Sequence, residues 1–392
     1  MSHPLMACQM VLWGCQQQLR AIDEIKGCDD HGKQPPLYSA MFANILQGGT
    51  SGIGAAVAQD LASRGAQIII LTHHELTDPF LVDYLEDIRS SSNNELFRYQ
   101  MGRQCSPRRL DMIVLCADTL TPRFGILAKT QDNVDPVWAV NYLANFHLLS
   151  ILNPAIKAQP PDRDVRVVFA TCSSYIGGDI KSLKDDRDPL PNGTKYETSK
   201  LASMVFALAF QKLLDKHKRP DNQPNNTRVI LVDPGFTRTP GMRRWLTMGS
   251  LLGLFLYLVT LPFWWLVLKS PIQGAQGFLK AAMEADLGRG VGGRLLKECR
   301  DIEYRRPEIK DEQVQRRLWQ FSEKQIEALE KEGAVRRALG KKEKEGREKL
   351  ESQATTDVPS NVTEANANGH AVAAELAKAE RKPRSRQSRK AG

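Results

Sequence analysis

A tyrosine and a lysine stand four positions apart, at Tyr196 and Lys200, in a stretch whose apolar residues recur with helical spacing. Four positions make slightly more than one helical turn, so both side chains lie on one face of the predicted helix. A phenol loses its proton only near about pH 10, and a neighbouring ammonium group stabilises the phenolate. We therefore expect Lys200 to lower the pKa of Tyr196, so that Tyr196 exchanges a proton with an alcohol or carbonyl oxygen near neutral pH.

A glycine-rich turn follows the first apolar run of the chain and opens a predicted helix. Its first glycine permits a tight bend, the second allows the backbone to approach a pyrophosphate, and the third lets the helix pack closely on the strand. Backbone N–H groups at the start of the helix can then bind phosphate oxygens. The turn predicts a dinucleotide site made by Gly48, Ser51, Gly52, Ile53 and Gly54.

The residues after the second predicted strand bear on which dinucleotide binds. A site that prefers NAD carries a carboxylate at this point, which hydrogen-bonds the adenosine ribose. This chain has Thr72, His73 and His74 instead. No acid is there to repel a 2′-phosphate, so the pattern favours NADP(H) over NAD(H).

Short apolar runs alternate with amphipathic stretches between residues 43 and 300. The runs predict strands at residues 43–47, 67–71, 110–115, 165–170, 228–232 and 293–297. The stretches between them predict helices at residues 52–64, 78–90, 133–152, 196–217 and 271–285. Continuously apolar strands that alternate with helices are typical of a parallel sheet covered on both faces. The sequence therefore predicts an α/β fold with a Rossmann-like, doubly wound parallel sheet.

The order of these motifs resembles that of the short-chain dehydrogenase/reductase family. The matching features are the glycine turn, Asn141, the pair Ser173 and Ser174, Tyr196 with Lys200, and the pair Pro234 and Gly235. Within the family, the chain is most similar to the retinol-dehydrogenase-like branch and to a fungal group of that branch associated with lipid droplets. The resemblance implies an enzyme that moves a hydride between a nicotinamide cofactor and a substrate.

The resemblance also implies catalytic roles. Tyr196 would be the general acid/base, Lys200 would bind the nicotinamide ribose, and Asn141 would hold a water molecule of the proton relay. A serine would hydrogen-bond the substrate oxygen, and both Ser173 and Ser174 align with it. We favour Ser174, because the preceding predicted strand continues beyond residue 170.

Further cofactor contacts are implied after the strand at residues 228–232. Pro234 and Gly235 match the loop that borders the nicotinamide end of the cofactor. Thr239 matches the threonine that contacts the carboxamide of that ring.

Two segments depart from the family pattern. The signature Asn-Ala-Gly after the strand at residues 110–115 is replaced by Cys116, Ala117 and Asp118. Between residues 91 and 110 the chain offers residues 96–101 for the family's next strand, and eight residues separate Met101 from the strand that begins at Leu110. A crossover between parallel strands needs about a dozen residues or more. One β-α unit is thus predicted to be truncated. The departures favour an alternative reading, a catalytically impaired membrane-bound relative with an incomplete cofactor site.

Residues 245–268 carry no charged side chain. A membrane-spanning helix needs about 20 apolar residues. The predicted strand and helix on either side belong to one sheet, so both ends of the segment must lie on the same side of a membrane. We therefore predict a membrane-embedded insertion that enters one leaflet and returns, or that lies in the interface. In the family this region covers the substrate, which would be a lipophilic alcohol, ketone or aldehyde such as a retinoid, a sterol or a long-chain lipid.

Composition limits the remaining possibilities. The 392 residues have a net charge of +9, much of it in a basic C-terminal stretch without interleaved aromatic residues, so we do not expect nucleic-acid binding. The seven cysteines are odd in number and lack C-x-x-C spacing. They predict neither a metal site nor a disulfide framework, and they suit a reducing compartment.

These boundaries divide the chain into four predicted parts. They are a poorly ordered leader (1–42), a catalytic domain (43–300), a charged helical extension (301–350) and a disordered basic tail (351–392). We expect the protein at the endoplasmic reticulum membrane or on lipid droplets, with its catalytic domain facing the cytosol.

Overall fold

A computed structural model describes residues 43–72, 78–92, 110–120, 129–130, 132–181, 183 and 194–356. The predicted leader, His73 with His74, the apolar run at residues 96–101 and the tail beyond Thr356 lie outside these residues. The chain divides into two compact units, residues 1–329 and 330–392. The site described below belongs to the first unit.

The elements follow one another in the alternating order predicted. The strands are β1 (Ala43–Gln47), β2 (Gln67–Leu71), β3 (Met112–Leu115), β4 (Val165–Ala170), β5 (Thr227–Asp233), β6 (Arg294–Lys297) and β7 (Arg300–Ile302). The helices are α1 (Gly52–Ser63), α2 (Pro79–Ser92), α3 (Pro136–Trp138, Ala139–Leu143 and Ala144–Lys157), α4 (Lys195–Lys216), α5 (Pro240–Leu246), α6 (Leu251–Val259), α7 (Leu261–Val267), α8 (Pro271–Met283), α9 (Ala285–Arg289) and α10 (Glu312–Thr356). Two 3₁₀ turns lie at Ser173–Gly177 and Pro307–Ile309.

The strands form one sheet in the order β2-β1-β3-β4-β5-β6-β7. The first six are parallel, and β7 pairs antiparallel to β6. The predicted parallel sheet is confirmed, and the antiparallel edge strand β7 is an addition to it. The chain leaves β1 towards β2 and returns to β3 on the other side of β1. Ligands of such sheets bind where the strand order reverses, beyond the carboxyl ends of the strands.

Most residues of strands β1 to β5 are apolar because both faces of the sheet are buried. Successive residues of a strand point to opposite faces. On one face Ile45 belongs to a core cluster with Trp138 and Phe206, which α3 and α4 contribute. On the other face Leu46 belongs to a second cluster with Phe278 from α8. Burying one such aliphatic or aromatic side chain contributes about 1.5–3 kcal/mol to folding.

Helix α3 contains a π-helical turn at Ala139–Leu143. Asp135 caps the start of this helix, because its carboxylate accepts hydrogen bonds from the backbone N–H groups of Val137 and Trp138. Pro136 occupies the first helical position, where no backbone N–H is needed. A π turn inserts an extra residue, which shifts the register of the helix and often marks a functional position. Asn141 lies in this turn.

Residues 245–268, here called the apolar insertion, fold into the end of α5 and the short helices α6 and α7. The two short helices meet at Thr260, the residue before Leu261 and Pro262. In the part of the chain that the structure describes, no helix is both long enough and apolar enough to cross a membrane. Within the apolar insertion, the large apolar side chains that are more than half exposed are Leu251, Leu252, Phe255, Leu258, Val259, Phe263, Trp265, Leu266 and Val267.

Backbone hydrogen bonds join the segment before helix α5 to the residue that follows the apolar insertion. Thr237 and Lys269 form an isolated parallel bridge. The N–H of Arg238 donates to the carbonyl oxygen of Lys269 at 2.9 Å, and the N–H of Lys269 donates to that of Phe236 at 3.0 Å. The chain therefore leaves the domain after β5 and re-enters it before α8 at one place.

Candidate active site

The candidate site lies at the carboxyl edge of the sheet. It is bordered by the turn after β1, the segment after β3, the 3₁₀ turn after β4 and the first turns of α4. Parallel strands bring these loops to one edge, although they are far apart in the sequence. Tyr196 and Lys200 lie in the first turns of α4, where Tyr196 is half-buried and Lys200 is buried.

The glycine turn between β1 and α1 has no room for side chains at two of its positions. Gly48 has a φ of +74°, and a Cβ there would lie 2.7 Å from the backbone of Ala117. A Cβ at Gly54 would collide with the carbonyl oxygen of Gly48. Gly52 has a φ of +58°, which L-residues with a side chain rarely adopt. The glycines thus let this turn pack against the segment after β3, at the reversal of strand order.

Asn141 ties three parts of the site together. Its side-chain Oδ1 accepts the N–H of Thr119 at 2.7 Å, and its Nδ2 donates to the carbonyl oxygen of Thr119 at 2.9 Å and to Ser199 Oγ at 3.2 Å. Its own carbonyl oxygen accepts hydrogen bonds from Asn145 and Ser203. The buried amide of Asn141 therefore holds the backbone after β3 against the π turn and α4.

The two serines after β4 point in different directions. Ser173 Oγ donates to a carboxylate oxygen of Asp233 at 2.5 Å and accepts from the lysine that ends β6. Ser174 Oγ lies 2.6 Å from Cys172 Sγ, which lies 3.7 Å from the phenolic oxygen of Tyr196. Ser174 is therefore on the Tyr196 side of the 3₁₀ turn, and Ser173 is engaged with the ends of β5 and β6.

A carboxylate joins the tyrosine and the lysine. The Tyr196 hydroxyl donates to Asp118 Oδ2 at 2.8 Å, and Lys200 Nζ lies 3.0 Å from Asp118 Oδ1. The Lys200 side chain is only 4% exposed and that of Asp118 is 36% exposed. The sequence marks Asp118 as a departure from the family signature. It does not reveal this contact, because the two residues are 78 positions apart.

The expected effect of Lys200 on Tyr196 is wrong in this structure. Burial and the carboxylate of Asp118 hold the pKa of Tyr196 well above its usual value. The ammonium of Lys200 lies 5.5 Å from the centre of the tyrosine ring, whereas Asp118 accepts the hydroxyl hydrogen directly. The nearer negative charge stabilises the protonated phenol. Tyr196 is therefore held as a proton donor.

Two buried thiols border the same site. Burial raises the pKa of Cys172, and it raises the pKa of Cys116 to about 12. Both side chains are therefore neutral thiols at physiological pH. Cys172 separates Ser174 from Tyr196 without adding charge.

The loop after β5 reaches the glycine turn. Gly235, after Pro234, has a φ of +74° and donates its N–H to the carboxylate of Asp233 at 2.9 Å. Thr239 caps α5, and its methyl carbon lies 3.5 Å from the position that a Cβ at Gly52 would take. The two segments predicted to bind opposite parts of a dinucleotide thus meet at this edge of the sheet.

Relatives of the chain have been identified across most of its length. Uncharacterized oxidoreductase pbr1 of Schizosaccharomyces pombe is 40% identical over 309 residues, 74% of this chain and 82% of that protein. Retinol dehydrogenase 14 of Homo sapiens is 26% identical and covers 73% of this chain and 86% of its own length. The chain belongs to the short-chain dehydrogenase/reductase family. Polyprenol dehydrogenase of Mus musculus is also similar, with 29% identity over 70% of this chain and 81% of that protein.

These relatives confirm the family and the retinol-dehydrogenase-like branch that the motif order predicts. The chain is accordingly an oxidoreductase of the short-chain type. No family model matches it.

Proposed function

We propose that the chain transfers a hydride between a nicotinamide cofactor and a lipophilic alcohol or its ketone or aldehyde, at the surface of a membrane or lipid droplet. The proposal rests on one observation above all. Tyr196, Lys200 and Ser174 meet at the carboxyl edge of a parallel sheet, beside a glycine turn. The names of retinol dehydrogenase 14 and polyprenol dehydrogenase support a retinoid or a polyprenol within this proposed substrate class.

The loops around the site fit a dinucleotide. The absence of side chains at Gly48 and Gly54 is what lets the turn close, and α1 begins immediately after it. The pyrophosphate would bind Gly48, Ser51, Gly52, Ile53 and Gly54. The nicotinamide end would lie near Asn141, Tyr196, Lys200, Pro234, Gly235 and Thr239. We propose NADP(H) rather than NAD(H), because no acidic residue follows β2 at residues 72–74.

The residues of the chain would act on the substrate oxygen. The nicotinamide ring supplies or accepts the hydride when it is bound. In reduction, Tyr196 donates its phenolic proton to the carbonyl oxygen and Ser174 donates a hydrogen bond to the same atom. Lys200 stabilises the phenolate that forms. In oxidation, Tyr196 must first lose its proton, so the raised pKa of Tyr196 suits the reductive direction.

The apolar insertion supports a lipid-borne substrate. It begins directly after the Thr239 loop and exposes Leu, Phe and Trp side chains, next to the exposed cations Arg243 and Arg244. Removing apolar surface from water contributes about 25 cal/mol per Å². Aromatic and basic residues favour the headgroup region of a membrane. We propose that the insertion lies in the cytosolic leaflet of the endoplasmic reticulum or in the monolayer of a lipid droplet.

Purified full-length protein tests this function. It is presented with retinal, a ketosteroid and a long-chain aldehyde in phospholipid vesicles, and the oxidation of NADPH is followed optically. We expect turnover with at least one of these carbonyl compounds and none with water-soluble ketones. Cofactor binding without turnover of any carbonyl or corresponding alcohol would contradict the proposal.

The second candidate is a membrane-bound relative without catalytic activity. It is favoured by Asp118, whose carboxylate already engages both Tyr196 and Lys200. A protein that binds neither NADP(H) nor NAD(H) at millimolar concentration, while remaining folded, would establish this candidate instead.

A further inference from the structure

One carboxylate uses the two hydrogen-bond donors on which the proposed site depends. Asp118 accepts the Tyr196 hydroxyl at 2.8 Å on one oxygen and lies 3.0 Å from the Lys200 ammonium with the other. It stands at the third position of the segment after β3, where the family signature has glycine and therefore no side chain. The contact is thus a property of this chain rather than of the shared fold.

We infer that Asp118 is a built-in competitor for the cofactor: its carboxylate holds Lys200 and Tyr196, and it must leave both before the ribose of a nicotinamide nucleotide can bind there. This inference rests on the proposed function, because it assumes that Lys200 receives the ribose. It makes Asp118 the residue that sets how tightly this site holds the nucleotide.

The burial of Lys200 makes the competition strong. Its side chain is 4% exposed, so little water reaches the ammonium group. Its other acceptor is the carbonyl oxygen of Ala170, at the long distance of 3.4 Å. A carboxylate attracts an ammonium group more strongly than a neutral acceptor does, because both partners then carry a charge. A ribose hydroxyl is neutral, so it replaces Asp118 at a cost in free energy, and the observed affinity for the nucleotide falls accordingly.

The backbone around Asp118 is held in place, so its side chain must do the moving. Thr119 has both its N–H and its carbonyl oxygen bound to the side chain of Asn141. Ala117 lies against Gly48, where even a Cβ would come within 2.7 Å. The Asp118 side chain itself is 36% exposed. Rotation about its own bonds therefore carries the carboxylate into water without any change in the fold.

Two substitutions show whether Asp118 competes with the nucleotide or helps the site to bind it. Asp118→Asn keeps the size of the side chain and removes its charge, and Asp118→Gly removes the side chain altogether. If Asp118 competes with the nucleotide, both variants bind it more tightly. If Asp118 instead positions Tyr196 and Lys200 for binding, both variants bind it more weakly. Asp286→Asn is the matched control, since it removes an equal charge from an exposed position in helix α9, which precedes the amino end of β6.

The measurement is the dissociation constant of NADP+ and of NADPH for the full-length protein, obtained by titration calorimetry. Solvent screening of the partly exposed Asp118 moderates this competition, so removing its charge tightens binding about fivefold for Asp118→Asn. At least the same gain is expected for Asp118→Gly and no change for Asp286→Asn. Thermal unfolding followed by circular dichroism verifies that each variant is folded.

The outcomes separate the inference from the function it rests on. Unchanged or weaker binding by both folded Asp118 variants, with binding by the unmodified chain, overturns the inference alone. Absence of binding by the unmodified chain and by both variants overturns the inference and the proposed function together. Binding that appears only in the variants supports the inference and assigns the unmodified chain to the second candidate, a relative that does not bind the cofactor.

Discussion

The hydroxyl of Tyr196 donates its hydrogen to the carboxylate of Asp118, and this contact acts together with burial on the protonation state of the phenol. The pKa of Tyr196 is raised because burial and Asp118 both disfavour the phenolate. Asp118→Asn removes the negative charge and keeps a hydrogen-bond acceptor. We therefore expect the pKa of Tyr196 to fall in this variant, so that its phenolate forms at lower pH.

Tyrosinate absorbance during alkaline titration measures this shift. The contribution of Tyr196 is the difference between a protein with Tyr196 and the same protein carrying Tyr196→Phe. In the unmodified chain this difference should titrate above the ordinary tyrosine pKa of about 10. In Asp118→Asn it should move to lower pH. An unchanged titration would show that Asp118 does not control the phenol.

Removing the phenol tests the acid/base role. Tyr196→Phe should reduce turnover by a factor of about 10² to 10⁴, because only the transferable proton is lost. Nucleotide binding, measured by calorimetry, should remain within a factor of two or so. Tyr304→Phe serves as the control, since its hydroxyl donates to the carbonyl oxygen of Gly293 before β6, at the other edge of the sheet. Equal rates for the two variants would remove Tyr196 from the mechanism.

The sequence predicts the site residues well where their chemistry depends on residues that are close together in the chain. The pairing of Tyr196 with Lys200 follows from helical spacing, and the glycine turn from the need for backbone approach. The sign of the pKa shift does not follow, because it depends on Asp118, which approaches from another part of the chain. The negative charge of Asp118, which the tertiary fold brings close, affects the pKa of Tyr196 more than the positive charge of Lys200, which the sequence spacing suggests.

At the scale of elements, the apolar insertion carries the clearest prediction. Leu251→Ser, Phe255→Ser and Leu266→Ser in one protein replace side chains that are each more than 60% exposed. Their removal should leave the fold intact and release the protein from membranes, because apolar burial in lipid is the main attraction. Fractionation after alkaline carbonate extraction gives the result.

The matched control replaces exposed apolar residues outside the insertion, by Phe80→Ser with Val291→Ser. This variant should remain with the membrane fraction to the same extent as the unmodified chain. If the triple variant also resists carbonate, the attachment lies elsewhere in the protein.

The elements themselves could be predicted to differing degrees. The buried strand Val165–Ala170 is apolar except at Arg166, and its predicted bounds match the observed ones. The strand Arg300–Ile302 gives no such signal, because it is three residues long and largely exposed. The π turn at Ala139–Leu143 leaves no mark in the sequence either, since the apolar pattern continues through it. Its presence depends on the contacts that Asn141 makes with distant segments.

At the scale of the whole molecule, the first turns of α10 belong to the core of the dehydrogenase unit. Leu318 and Phe321 are buried in the cluster that covers one face of the sheet. Gln325 accepts the indole N–H of Trp138 at 2.9 Å, and Ser322 lies 2.6 Å from the hydroxyl of Tyr142. The composition of residues 301–350 predicts a charged extension, because the average over this stretch conceals the few apolar positions that repeat every three or four residues.

Phe321→Ala should therefore destabilise the whole fold by about 3–5 kcal/mol, the usual cost of deleting a buried aromatic ring. Val335→Ala, in the same helix and 61% exposed, should change the stability by less than about 0.5 kcal/mol. Urea unfolding monitored by circular dichroism compares the two. Equal stabilities would mean that the start of α10 is not part of the core.

The hydrogen-bonded pairing of the chain segments on either side of the apolar insertion has a consequence for how such enzymes diversify. Because Thr237 and Lys269 pair directly, the span between β5 and α8 is set by two neighbouring residues and is independent of what lies between them. The apolar insertion within this span, residues 245–268, therefore forms a cassette. It can be lengthened, shortened or grafted from a relative without moving the sheet beneath it. Affinity for a particular lipid surface is then free to evolve separately from the chemistry of proton and hydride transfer.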